Sequence, residues 1–205
     1  MTPVSLHESK AKLLDAAVHV IRAKGFVAAT VDDICLAAGV TKGSFFHHFK
    51  SKDDLGVSAA GYFSKNAKDL FAAAPYHLAN DPLERLLGYV DFRISLLHGE
   101  TAEYTCLLGT MVQETYATHP GIRTACDAGM SAHVAELTKD IEAAKQLYAP
   151  DAGFSAESVG FFMQSVLQGA FIFAKAKQDP EMARNSLTHL RSFLEQLFKP
   201  NLNPA

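Results

Sequence analysis

The sequence predicts an all-α fold: an N-terminal three-helix head of the helix-turn-helix type, followed by a larger helical body, about nine helices in all. Three observations carry this. Apolar residues recur at helical spacing from end to end, and strand alternation appears nowhere. Glycines, prolines and Ser, Thr or Asp caps punctuate that pattern at helix-length intervals. Two short helical stretches follow a longer one and are joined by Gly39-Val40-Thr41, the spacing of a helix-turn-helix.

The elements follow in order. In "HESKAKLLDAAVHVIRAKGF", Leu14, Ala17, Val18 and Ile21 make one stripe, and Gly25 supplies a stop. Thr30 caps a second helix with Val31, Ile34, Cys35 and Ala38 on its apolar face, and Gly39 ends it. Thr41 caps a third that runs to about His48. Ser51 caps a fourth, with Asp53 and Asp54 favourably placed in its first turn, closed by Pro75. Asp81-Pro82 opens a fifth, reaching about His98 before Gly99. "AEYTCLLGTMVQETYA" reads as one helix. Pro120 opens a long helix to about Tyr148. Ser155 caps "AESVGFFMQSVLQGAFIFAKAKQ", where Gly160 and Gly169 allow close helix approach. A last helix after Asp179-Pro180 ends near Phe198, and the tail "KPNLNPA" is expected to fray. The domain division expected is 1–51 for the head and 52–205 for the body.

Composition narrows the class. The chain has 205 residues, 48% of them hydrophobic, with a net charge of −3. That is enough for a sizeable core, and bulk charge does not make it a polyanion binder. The charge is uneven: residues 1–55 hold seven Lys/Arg against six Asp/Glu, so the remainder carries net −4. A less acidic head on an acidic body suits a local, oriented contact with an anion. Cys35, Cys106 and Cys126 are too few and scattered for a disulfide framework, so the chain reads as cytoplasmic and reduced. No apolar run approaches the ~20 residues of a membrane span, and no signal-peptide core is expected in "MTPVSLHESKAK".

The third helix has an odd composition. "TKGSFFHHFKSK", Thr41 to Lys52, mixes three phenylalanines, two histidines and three lysines. Phe45 and Phe49 are four apart, so they share a face and can anchor the helix. Lys42, Gly43, Ser44, Phe46, His47 and His48 are left at the opposite face or its edges. Gly43 would let backbone approach a base pair, and Lys42 and Lys52 would meet phosphates. His47 and His48 point about 100° apart with no third ligand nearby in sequence, so no metal is expected there.

These residues carry a resemblance. "TVDDICLAAGVTKGSFFHHFKSKDDL", 30–55, resembles the DNA-binding signature of the TetR family of transcriptional regulators, and the helical remainder is similar to that family's ligand-binding and dimerisation domain. The resemblance implies a homodimeric DNA-binding regulator, a repressor released from a palindromic double-stranded operator by a small-molecule effector. DNA would be met by Thr41, Lys42, Gly43, Ser44, Phe46, His47, His48 and Lys52. Phe46 stands where the family pattern usually has a tyrosine, so it can pack against sugar or a thymine methyl but has no hydroxyl for a phosphate. The dimer would form through the last two helices, about 155–179 and 181–198, with Phe161, Leu167, Phe171, Leu190, Phe193, Leu194 and Leu197 as apolar candidates.

That architecture would gather Tyr89, Phe92, Arg93, Leu96, Cys106, Thr110, Met111, Phe162 and Gln168 around an effector. Arg93 would favour an anion if buried without a carboxylate partner, with Glu103 and Glu114 able to neutralise it. "CLLGTMVQE" and "FAKAK" also resemble a TetR subgroup in which a cysteine at this place answers electrophiles or oxidants. On that resemblance Cys106 is a candidate sensor thiol with Lys175 beside it, against a packed thiol as the default. An all-helical enzyme is the rival class. G-x-S-x-G, G-x-G-x-x-G, P-loop and H-E-x-x-H motifs are missing from the sequence, and helix capping accounts for Asp32-Asp33 and Asp53-Asp54. No catalytic residue, metal or cofactor is expected.

Overall fold

A computed structural model of the chain describes residues 6–198. Among the described residues there are ten α-helices, one 3-10 turn and no strand. The tail expected to fray lies outside the described residues. The helices gather into two compact units, which in described residues comprise 6–68 with 105–130, and 69–104 with 131–198.

The first unit holds α1 (Leu6–Lys24), α2 (Val31–Ala38), α3 (Lys42–His48), most of α4 (Lys52–Ala72), α7 (Leu107–Thr115) and the start of α8 (Pro120–Tyr148). Local chemistry sets its boundaries. Gly25 takes φ +88 and hands its N–H to the Ile21 carbonyl, closing α1. Thr30 and Asp33 form a reciprocal capping box on α2, and Gly39 ends that helix at φ 63. Thr41 Oγ1 accepts the Ser44 N–H to start α3, and Ser51 Oγ accepts the Asp54 N–H to start α4. The core is hydrocarbon and aromatic: Leu13, Ile21, Phe26, Ile34, Phe45, Phe49 and Leu55 are all but fully buried, joined by Leu107, Met111 and Ile122. Each such side chain contributes about 1.5–3 kcal/mol by leaving water. Thus the head recruits α4 and α7 to complete its own core.

The second unit holds the end of α4, the 3-10 turn Pro75–Leu78, α5 (Pro82–Ser95), α6 (Thr101–Tyr104), the rest of α8, α9 (Ala156–Lys177) and α10 (Glu181–Phe198). Asp81 accepts the Leu83 and Glu84 N–H groups, with Pro82 in the first turn, so α5 starts as expected. Ser155 caps α9 through the Ser158 N–H. Gly160 lets α9 come against Val134 of α8; a Cβ there would lie 3.0 Å from Val134 Cγ1.

Two expectations need correction. The segment read as one helix is two, α6 and α7, with Cys106 extended at φ −83, ψ 123. Tyr104 and Leu107 explain the break. A continuous helix would place them on one face, yet each is buried in a different unit. Second, α9 is 22 residues long and contains an 18-residue stretch with a mean hydropathy of 1.3, long and apolar enough on those grounds to span a membrane, contrary to the expectation that no segment approaches one. Its inner face is core: Val159, Met163, Leu167, Ala170 and Phe171 are buried.

Candidate functional site

The first unit displays α3. Phe45 and Phe49 are 0% and 2% exposed, with ring centroids 5.6 Å apart, and fix one face of the helix into the core. The other face is open: Thr41, Lys42, Gly43, Phe46 and His47 are exposed, Ser44 and His48 half-buried. Seven of the eight residues expected to meet DNA therefore lie on or at the head of one short helix. Beside it runs a shallow open groove of about 570 Å³, lined by Ser9, Cys35, Leu36, Gly39, Val40, Thr41, Ser44 and His47.

Three of the cationic or imidazole groups here, those of Lys42, His48 and Lys52, are already engaged. Lys42 Nζ pairs with Asp32 at 2.9 Å, and both are exposed. Such a pair is worth little in water, so a phosphate can replace Asp32 at small cost. His48 Nε2 bonds Ser9 Oγ of α1 at 2.7 Å, which braces α3. Lys52 is turned inward. Its ammonium donates to the carbonyls of Phe26, Val27 and Ala29 at 2.9, 3.2 and 3.0 Å, and lies 4.6 Å from the Phe26 ring centroid. Those three bonds use all three of its protons and tie the α1–α2 turn to α4.

The same turn is held from a second side. Glu114 of α7 accepts the Val27 N–H at 2.8 Å, and its carboxylate fills the space where a Gly25 side chain would stand. Sequence reading missed Leu36, 84% exposed and lining the same groove. A leucine at a position off the α2 stripe was the available signal.

The nine residues expected around an effector divide between the units. Cys106, Thr110 and Met111 belong to the first. Met111 is fully buried in that unit's core, Thr110 Oγ1 bonds the Cys106 carbonyl, and Cys106 is half-buried at the head of α7 with no side-chain capping bond. Cys126 is fully buried, and burial pushes its thiol up to about 12. Lys175, half-buried in the last turn of α9, lies in the second unit.

The second unit brings together Tyr89, Phe92 and Arg93. Arg93 Nε donates to Tyr89 Oη at 2.9 Å, and Arg93 Nη2 lies 3.2 Å from His133 Nε2. Tyr89 Oη is also 2.9 Å from His133 Nε2 and accepts from Gln164 Nε2 at 3.1 Å. Rings enclose the group. The Arg93 guanidinium lies 4.2 Å from the Phe71 centroid, and Phe71, Tyr76 and Phe92 pack mutually or on Tyr89 at 5.6–6.0 Å. Burial first, then the Arg93 charge, press the His133 imidazole down to about 3, so it is neutral and can accept on Nε2. Burial also raises the Tyr76 phenol to about 12.

Leu96 is half-buried at the end of α5, and Gln168 half-buried on α9. Phe162 is not brought to this group by any ring contact; it is 42% exposed and stacks on Phe193 of α10 at 5.0 Å. His133, Gln164, Phe71 and Tyr76 were missed. Gln164 was legible as a polar residue four after Gly160 and three before Leu167, on the buried stripe of α9. His133 was legible in the same way between Met130 and Leu137.

A short anchored helix with an open polar face, next to a capped helix and turn, defines a helix-turn-helix regulator. The comparisons agree. Residues 13–58 match the family model for bacterial regulatory proteins of the tetR family, and residues 82–190 match the tetracyclin repressor-like C-terminal domain. The chain belongs to the TetR family of bacterial transcriptional regulators. It is 25% identical to the HTH-type transcriptional repressor DhaR of Mycobacterium sp. strain GP1, covering 91% of this chain and 90% of that one. It is 31% identical to the uncharacterized HTH-type regulator YerO of Bacillus subtilis, covering 43% of this chain and 32% of that protein. Among solved structures, that of E. coli NemR in its reduced form is similar with a TM-score of 0.78 at 20% identity, covering 91% and 96% of the two chains. A TetR-family regulator from Agrobacterium tumefaciens is similar with a TM-score of 0.81 at 19% identity, covering 92% and 98%.

Proposed function

We propose that the protein is a homodimeric, cytoplasmic repressor that holds a palindromic operator through α3 and releases it when a small-molecule effector occupies the second unit. The observation that carries this is α3 itself: two buried phenylalanines anchor it, and Lys42, Gly43, Phe46 and His47 are left outward. The helix offers base and phosphate contacts through Lys42, Ser44, His47 and Thr41, close backbone approach at Gly43, and apolar contact at Phe46. In this reading residues 1–51 are the reading head, while 52–205 receive effector and partner. Lys52 and His48 serve DNA binding by holding the head in shape. Glu114 gives α7 a grip on the turn before α2, and movement of α7 would reach α2 through it.

The dimer reading is supported by the outer face of α9 and α10. Phe161, Phe162, Ile172, Phe173 and Phe193 are 41–60% exposed. Gly169 stands among them with open space above it, which lets a partner helix come close. Leu167, Phe171, Leu190 and Leu194 are instead buried in the subunit. An apolar outer face covered by a second copy accounts for the hydropathy of α9. Two-fold symmetry would set the two α3 helices at successive major grooves, ~34–36 Å apart. The test is an electrophoretic shift on the DNA flanking its own gene, with a footprint and sedimentation. Specific retention, a dyad footprint and a micromolar dimer are expected; no retention, or a monomer, would overturn the reading.

A second reading, electrophile sensing through Cys106, is favoured by a free, half-buried thiol at the N-cap of α7 that makes no capping bond. Operator release by a mild electrophile that persists unchanged in Cys106→Ser eliminates it.

A further inference from the structure

We infer that the Arg93 cluster of the second unit is a binding site for a small organic carboxylate with an apolar body. This rests on reading that unit as the effector-receiving part, and it names the effector's chemistry.

The argument begins with charge. Arg93 is half-buried, and no carboxylate of a described residue is within ion-pair distance of it. The neighbouring acids are engaged elsewhere: Asp91 pairs with Arg191, Asp140 with Arg85, and Glu103 accepts the Glu100 N–H. Glu114, the other acid able to neutralise it from sequence, accepts the Val27 N–H in the first unit. What faces Arg93 is neutral: a phenol, an imidazole and aromatic rings. The guanidinium therefore brings a positive charge with no carboxylate beside it into a setting drier than water.

Geometry then gives the shape. The side edge of the guanidinium, Nε with Nη2, faces Tyr89 Oη and His133 Nε2. The end edge, Nη1 with the second Nη2 proton, makes no bond to any described residue. That edge presents two parallel donors, which matches the two oxygens of a carboxylate. His133 can accept from Arg93 only on an unprotonated Nε2, so its proton belongs on Nδ1 and the imidazole adds no charge. Gln164 and His133 fix Tyr89, and Tyr89 fixes Arg93. The donor fork is therefore held before any ligand arrives, which lowers the cost of binding. Phe71 and Phe92 supply apolar walls, favouring an organic anion over a hydrated inorganic one.

The test uses the intact protein without DNA. Calorimetry and thermal shift are run with benzoate, its uncharged analogue benzamide, and inorganic phosphate. Benzoate is expected to bind at least about tenfold tighter than the other two. Arg93→Gln should bring benzoate down to the level of benzamide, and Arg93→Lys should keep part of the preference. Should Arg93→Gln fail to fold, the wild-type comparison and Arg93→Lys decide. Equal binding of benzoate and benzamide overturns the site. So does phosphate matching benzoate, a preference surviving in a folded Arg93→Gln, or no benzoate binding at millimolar concentration. Benzoate binding by a protein that retains no operator supports the site and overturns the repressor reading instead.

Discussion

The two units bury different chemistry. The first closes mainly on hydrocarbon and phenyl rings, with small hydroxyls at Ser9, Thr105 and Thr115, and uses an inward ammonium, Lys52, as a clamp on three carbonyls. The second places a phenol, an imidazole, an amide and a guanidinium together among rings. Folding alone does not call for the second arrangement, because apolar residues of equal size would pack at less cost. A unit that must display a rigid helix gains from a dry core. A unit proposed to receive an effector keeps polar groups with bonding capacity to spare. Lys52 and Arg93 are both shielded cations, yet one has every proton committed and the other has an edge unused.

The largest effect expected is at the dry core. Phe45→Ala removes the fully buried anchor of α3 and should cost about 3–5 kcal/mol. Denaturant melts should show this in the first unit, with operator retention lost; retention at normal affinity would mean that α3 does not depend on its buried face.

Next comes acidification of the polar cluster. The folded His133 pKa lies below its unfolded value, so the unfolded chain binds the proton first. The stability contributed is whole above about pH 6.5 and is lost as pH falls from there towards 3, by about 1.4 kcal/mol per unit. His133→Phe should flatten that part of the pH–stability curve. An unchanged slope would show that the imidazole is not held neutral.

Lys52→Met sharpens the contrast between the cations. It leaves three carbonyls without their donor and should cost about 1–3 kcal/mol, with the salt dependence of DNA binding unchanged once folded protein is corrected for. If stability holds and the salt slope instead flattens by about one unit, Lys52 spends its charge on a phosphate. The smallest change is Glu114→Ala, about 1 kcal/mol, because the carboxylate that grips Val27 is exposed. It should loosen the α1–α2 turn, read as faster amide exchange at Val27; unaltered exchange would remove α7's hold on the head.

Much of the scaffold was legible because its signals are local. Gly25 and Gly39 adopt the left-handed conformations their positions demanded, and Thr30, Thr41, Ser51, Asp81 and Ser155 all cap the helices they precede. Such signals act over three or four residues, within reach of sequence pattern. The division of roles along α3 was legible for the same reason, since i, i+4 spacing alone sends Phe45 and Phe49 inward.

The sequence by itself therefore determined helix order, most helix ends, the helix-turn-helix and the buried face of α3, because each depends on spacing and caps within a few turns. Tertiary structure decided the rest. It broke the chain at Cys106 so that Tyr104 and Leu107 could serve different cores. It set the Lys52 ammonium, expected at a phosphate, on carbonyls of residues 23–26 positions earlier. It also brought Arg93 to His133, 40 residues away, and Tyr89 to Gln164, 75 residues away. The physical reason is the same in each case: the partner of a long polar side chain is fixed by packing between helices, and no local period encodes which helix will face it.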